Sequence, residues 1–149
     1  MNIKITKADR YFSLCVRERA NNTCERCSRE YVDGGRGLQC AHFETRRNKA
    51  VRFDPDNAFA LCFACHTMLD GSPVEFVKFY KLKRGIIRYN ALVETMRNIM
   101  LGKAVSKLMV DMAYWWEGCY NVMLTLRAQG NTGYLDLPKF PIKLVEEEK

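Results

Sequence analysis

Apolar positions follow three rhythms along this chain. From Asp9 the run DRYFSLCVRERANN gathers Tyr11, Phe12, Leu14, Cys15 and Val16 and then turns polar. That predicts a short helix with Asp9 as its N-cap and Asn21-Asn22 as its stop, after an extended lead-in over residues 1–10. Leu38-Gln39-Cys40-Ala41-His42-Phe43 has the two-residue period of a strand, with Leu38, Cys40 and His42 on one face. Ala58-Phe59-Ala60-Leu61 predicts a second short strand, and FACHTMLD opens a helix directly after it. Gly71-Ser72-Pro73 ends that helix, and Ser72 is expected to cap the next with Pro73 at its first position. Beyond residue 74 the period is helical: Phe76, Val77, Phe79, Tyr80 and Leu82 make one face, and Gly85 breaks it. Residues 87–100 and 103–128 predict two longer helices, carrying Leu92, Val93 and Met96 and then Leu108, Met112, Trp116 and Met123. After Gly130 the stretch NTGYLDLPKFPIKLVEEEK, with two prolines, predicts an arm or loosely packed tail.

The fold class this implies is α+β, with a mainly helical C-terminal extension. Residues 1–72 hold the strands and the first helices, 73–130 the helical extension and 131–149 the tail. The connections are informative. DGGRG is a flexible turn, ETRRNKAVRF a polar basic connection, and DPDN a turn whose proline presets one dihedral while its acids cap backbone amides.

Two Cys-x-x-C knuckles, Cys24/Cys27 and Cys62/Cys65, frame the strands, with thirty-four residues between them. Four thiolates in two such pairs suit a tetrahedral zinc ion, and four protein ligands leave no position for substrate, so the metal is structural. An odd total of seven cysteines does not suit a disulfide framework. Cys15, Cys40 and Cys119 read as buried small hydrophobes, with Cys40 notable for standing two residues before His42. No apolar run reaches the roughly 20 residues of a bilayer span, and the charged start lacks a signal-peptide core. An intracellular, cytoplasmic protein is expected.

The formal net charge is +7. Arg46, Arg47, Lys49 and Arg52 put four positive charges into seven residues, and Lys78, Lys81, Lys83, Arg84, Arg88, Arg97, Lys103 and Lys107 face only Glu94 between residues 78 and 107. Such a stripe suits a polyanion, although a solvated helical surface gives the same pattern. Both histidines of the chain fall within the cysteine-framed segment. His42 is a candidate general base, since imidazole titrates near neutral pH; a hydrogen-bonded structural histidine is the other reading. His66, directly after Cys65, is a candidate ligand for a divalent ion, or else a zinc ligand or helix cap. Asn57 could bond the backbone near His42 and orient it, or be a simple turn residue.

AHF followed by DPDNAFALCFACH resembles the HNH, or ββα-metal, endonuclease motif: His42 matches its first histidine, Asn57 its asparagine and His66 its final histidine. The following SPVEFVKFYKLKRGIIRYNALVE is similar to the helical segment of the lambdoid phage NinG (Rap) recombination endonucleases. The resemblance covers roughly residues 24–92. It implies a zinc-stapled ββα-metal core, and hydrolysis of DNA phosphodiesters with His42 as base, Asn57 as its orienter and His66 on a catalytic Mg²⁺ or Mn²⁺. It also implies branched or recombination-intermediate DNA as substrate and a phage or prophage origin. Many HNH nucleases carry Asp immediately before the first histidine, where this chain has Ala41. Glu44 and Asp70 are the substitutes to consider for that ion. The DNA backbone is expected on Arg46, Arg47, Lys49, Arg52, Lys81, Lys83, Arg84 and Arg88, and a homodimer through the C-terminal helices. The rival is a non-catalytic, zinc-stabilised DNA-binding module.

Overall fold

The structure, a computed structural model, describes residues 3–32 and 36–143. The first helix, α1, spans Lys7–Arg19. Its cap is Thr6 rather than Asp9: the Thr6 hydroxyl accepts from the Asp9 backbone N–H at 3.3 Å, and the Asp9 carboxylate accepts from Thr6 N at 2.7 Å. This reciprocal capping box places Asp9 inside the first turn and starts the helix three residues earlier than a cap at Asp9 would. Asn21 and Asn22, both with positive φ (51° and 53°), stop it as expected.

Strands β1 (Leu38–His42) and β2 (Ala58–Cys62) pair antiparallel, with Leu38 opposite Cys62 and His42 opposite Ala58. The period of two then divides their side chains. Cys40 and His42 face α1, where the Phe12 and His42 ring centroids lie 5.9 Å apart. Gln39 and Phe59 serve the opposite face. There α2 (Phe63–Asp70) and α3 (Pro73–Arg84) pack, with Phe59 against Phe76, Phe79 and Tyr80. Pro73 opens α3 as expected, but the Ser72 side chain makes no cap bond.

Gly85, at φ 86°, separates α3 from α4 (Ile86–Met96), a conformation an L-residue avoids. The two long helices expected beyond it are three. Asn98 accepts from Leu101 N at 2.9 Å and starts α5 (Ile99–Lys107), because an asparagine side chain offers the backbone an N-cap in place of helix continuation. α6 (Met109–Ala128) then buries Met112, Trp116 and Met123 and packs along α1. Phe12 meets Trp116 edge-on at 5.0 Å, and Cys15 donates to the Trp116 carbonyl at 3.3 Å. Among the described residues this is an α+β fold with one two-stranded sheet and six α-helices. One hydrophobic cluster runs from Ala8 to Met123, crossing the expected boundary at residue 72.

Two findings concern charge. Arg19, Glu25 and Arg84 form a buried set: Arg84 lies 2.9 Å and Arg19 4.0 Å from the Glu25 carboxylate. Glu25 also accepts from Ala60 N at 2.7 Å, and Arg19 donates to the carbonyls of Pro55 and Ala58. The first knuckle is thereby fixed to β2. The tail, over its described part, is held rather than loose. Leu135 N bonds the Arg19 carbonyl at 3.1 Å, the Tyr134 ring lies beneath Arg19, and Lys139 reaches Asp54 and Asp56 at 3.4 and 3.3 Å.

Removing Glu25 leaves two buried guanidiniums without their counter-charge. Glu25→Ala is expected to cost about 3–5 kcal/mol, seen as a lowered urea midpoint at unchanged slope.

Candidate functional site

The thiols of Cys24, Cys27, Cys62 and Cys65 lie within 4.8 Å of one another. Cys27 and Cys62 Sγ are 3.9 Å apart. A tetrahedral ion with sulfur at about 2.3 Å separates its ligands by about 3.8 Å, so this set is able to hold a structural metal such as zinc. The local chain shapes it. Cys24 N bonds Arg29 O, Ser28 N bonds Cys24 O, and Ser28 turns the knuckle with φ 64°. The second pair spans the end of β2 and the first turn of α2. Burial opposes ionisation of Cys62, but hydrogen bonds from the Cys65 backbone and the neighbouring thiols bring its pKa down to about 7. His66 is not in this set.

A cleft of about 750 Å³ lies between α1, β1 and α2, and His42 and His66 both line it. His42 Nε2 is 3.0 Å from the Arg52 carbonyl. A carbonyl only accepts, so Nε2 carries the proton and Nδ1 keeps its lone pair. Burial, with the charges of Arg46 and Arg52 adding to it, takes the His42 pKa down to about 4 against the opposing pull of that hydrogen bond. The ring is therefore neutral at physiological pH.

Asn57 is fully buried, and its amide closes the base of the 43–57 connection. Its oxygen accepts from Glu44 N at 2.8 Å, and its NH₂ donates to the carbonyls of Glu44 at 2.9 Å and Val51 at 3.0 Å. Val51 precedes Arg52, so Asn57 fixes the segment whose carbonyl holds His42. Arg52 is fixed a second time by its guanidinium, which grips Asp9 with bonds of 2.6 and 3.0 Å.

Across the sheet edge, His66 Nδ1 is 2.5 Å from Gln39 Oε1, and Nε2 is 3.0 Å from an Asp70 carboxylate oxygen. With the amide oxygen as acceptor, Nδ1 carries a proton. Nε2 and Asp70 are then two electron-pair donors that a proton or cation must bridge. Adjacent ligands about 2.1 Å from an octahedral ion stand about 3.0 Å apart, which matches this pair. Ala41, by contrast, is fully buried opposite Phe59 and adds nothing.

Other candidates are placed differently. Glu44 meets Asn57 through its backbone, and its carboxylate does not line the cleft. Arg52 and Arg84 are buried in ion pairs with Asp9 and Glu25, so neither is on the surface to meet a ligand. Both read as surface charge in sequence because nothing local marks a buried partner. Arg46 lines the cleft; Arg47, Lys49 and Lys83 are exposed. Lys81 sits over the Tyr89 ring, and Arg88 lies 3.7 Å from Asp56. Cys40 lines the cleft with its thiol pushed up to about 12, mainly by burial. Sequence reasoning missed Gln39 and the participation of α1, although Arg10, Ser13 and Arg17 recur at helical spacing.

Compared with known proteins, the chain matches no family model, and no curated protein or solved structure matches it at a significant level. No helix among the described residues is long and apolar enough to cross a membrane.

The His42 shift has a consequence for stability. Its ordinary pKa is near 6.5 and its folded value about 4. As pH falls through that window the unfolded chain binds a proton that the folded one refuses, so stability is lost. Replacing His42 by Gln, which keeps a donor for the Arg52 carbonyl, is expected to remove a loss on the order of 3 kcal/mol between pH 6.5 and 4. Paired urea titrations across that range measure it.

Proposed function

We propose that this protein is a metal-dependent endonuclease of the HNH type that hydrolyses DNA phosphodiester bonds. The observation that carries the reading is the cleft with two unlike histidines. His42 is neutral and held through Nε2. His66 is paired with a carboxylate at the spacing of two ligands on one ion. The order β1, β2, α2, with the second thiol pair at the β2–α2 junction, agrees with a ββα-metal core stapled by zinc.

In this reading His42 Nδ1 removes a proton from water, and the water oxygen attacks phosphorus. The P–O3′ bond breaks, leaving a 5′-phosphate and a 3′-hydroxyl once the departing oxygen has taken a proton from solvent. His66 and Asp70 would hold a Mg²⁺ or Mn²⁺ ion, which would supply charge stabilisation to the phosphate. Gln39 holds the His66 ring, and Asn57 acts as a positioning residue through Val51 and Arg52. A base of pKa near 4 accepts a proton weakly, but a bound phosphate beside the ring stabilises the imidazolium and shifts it toward neutrality. Asp70 takes the part that Ala41 cannot. Branched or recombination-intermediate DNA as substrate, and a homodimer through the C-terminal helices, rest on the resemblance and on the apolar C-terminal helices respectively.

One observation favours the rival, a DNA-binding module without catalysis: His66 and Asp70 are only two protein ligands for the ion. Plasmid nicking separates the readings. Wild type is expected to nick supercoiled DNA with Mg²⁺ or Mn²⁺ and to stop in EDTA. His42→Ala is expected to lose about 10²–10⁴-fold in rate while still binding DNA. Asp70→Asn is expected to raise the Mn²⁺ concentration needed for half-maximal nicking. Absence of nicking by wild type with every divalent ion tried leaves the module.

The thiol site has its own test. Elemental analysis is expected to find one zinc per chain. Cys62→Ser is expected to lose the metal and cooperative unfolding together, because binding energy of order 10 kcal/mol in such sites is folding energy.

A further inference from the structure

The four thiols of the metal set are not equivalent. Cys24, Cys62 and Cys65 are buried, and Cys27 is exposed. The three buried sulfurs also receive hydrogen bonds. Cys24 Sγ accepts from Cys62 N at 3.4 Å, Cys62 accepts from the Cys65 backbone, and Cys65 Sγ accepts from the Arg26 guanidinium at 3.5 Å. Among the described residues no N–H or O–H donates to Cys27, whose sulfur stands 3.9 Å from that of Cys62. We propose that Cys27 is a modification site: its sulfur is the one that peroxide oxidises, and Cys62 then resolves it to a disulfide that opens the metal set. This goes beyond the nuclease reading and does not rest on it.

Electron density and access single out Cys27. Metal ligation requires the thiolate form, so every sulfur of the loaded set carries nucleophilic charge. A hydrogen bond donated to a thiolate draws charge from the sulfur and lowers its nucleophilicity. Cys24, Cys62 and Cys65 are damped in this way and screened from solvent, and Cys27 is neither. The cysteines outside the set do not compete, because burial raises the thiols of Cys15, Cys40 and Cys119 and keeps them protonated.

Cys62 supplies the second thiol. Cysteines that oxidise reversibly are accessible thiolates standing beside such a partner. The Cys27 thiolate attacks one oxygen of hydrogen peroxide, and the O–O bond breaks. The products are a sulfenic acid and hydroxide, which takes a proton to become water. The Cys62 sulfur then attacks the Cys27 sulfur, the S–O bond breaks, and a second hydroxide leaves and is protonated. Two thiolates, one peroxide and two protons thus give one disulfide and two waters. The sulfurs lose two electrons and the peroxide gains them.

The fold limits the consequence. Cys24 and Cys65 remain as thiolates, and two sulfurs do not complete a tetrahedral site. The disulfide keeps the first knuckle at the β2–α2 junction, and Glu25 keeps it on β2 by accepting from Ala60 N at 2.7 Å. Cys65, in the first turn of α2, is released. With the knuckle still in place, a thiol reductant and zinc restore the set.

Zinc-loaded protein treated with hydrogen peroxide tests this. Zinc release is followed with a pyridylazo-resorcinol chelator, and samples are blocked with N-ethylmaleimide, digested with trypsin and read by mass spectrometry. Trypsin cuts after Arg26 and so separates Cys24 from Cys27, while fragmentation separates Cys62 from Cys65. The first disulfide is expected to join Cys27 to Cys62 and to form at the rate of zinc release. Dithiothreitol with added zinc is expected to restore four thiols and one zinc per chain. Cys27→His keeps a zinc ligand without an oxidisable thiol and is expected to slow the release. Should that variant not fold, the disulfide map of wild type decides alone. A first oxidised sulfur other than Cys27, zinc released with Cys27 unmodified, or zinc held equally with and without peroxide overturns the proposal and leaves the nuclease reading to the plasmid assay. Protein that binds no zinc overturns the thiol site and the proposal together.

Discussion

The bond between Arg52 and Asp9 is the constraint on which the rest of the candidate site depends. Asp9 closes the first turn of α1, and Arg52 sits in the connection between the two strands, so one buried ion pair fixes a helix start to a loop. The Arg52 carbonyl then receives the His42 ring, and Asn57 ties the residue before Arg52 to the far end of the same loop. A buried charge pair gains little net stability over an apolar contact, but its geometry is exacting, and it penalises any arrangement that separates the partners. The same burial keeps His42 neutral. The ion pair thus fixes the loop whose carbonyl positions the ring and sets its tautomer, and burial of the ring sets its charge.

A second clamp works on the other side of the sheet. Glu25 in the first knuckle accepts from Ala60 of β2 and balances Arg19 and Arg84, while the four thiols draw that knuckle onto the start of α2. The α2 segment that begins at the cysteines presents His66 and Asp70 one turn apart, and Gln39 of β1 holds the His66 ring. A two-stranded sheet is marginal alone. Here it is supported by α1 and α6 on one face and by the α2–α3 aromatic cluster on the other. The cleft forms at the edge of β1, where these two layers approach without meeting.

Much of the fold was legible. The period of two marked the first strand, a short apolar run the second, Gly85 and Gly71 marked helix ends, and Cys-x-x-C spacing marked the thiol set, because each depends on residues adjacent in the chain. The helix count failed at Asn98 and Leu108. The first is a cap in disguise within an apolar stretch, and the second carries no breaking residue. The N-cap was displaced from Asp9 to Thr6 because both residues have capping chemistry, and the reciprocal box uses both. The tail read as loose because its prolines and polar residues lack a period. What holds it are Arg19, Trp115 and the Asp54–Asp56 turn, all remote in sequence.

The candidate site divides along the same line. Residue type and spacing alone brought out the thiols, the two histidines and Asn57, because ligand and proton-transfer chemistry is restricted to few side chains. Which of the basic residues face outward was settled only by tertiary structure: Arg52 and Arg84 have the same side chain as Arg46, and differ from it only in the carboxylates that distant segments bring to them. That Asp70 stands beside His66 while the Glu44 carboxylate lies outside the cleft was decided in the same way, as was the arrival of α1 opposite the histidines. A carboxylate's distance from an imidazole, and the wall a helix forms, are properties of chain segments meeting in space, and local pattern does not encode them.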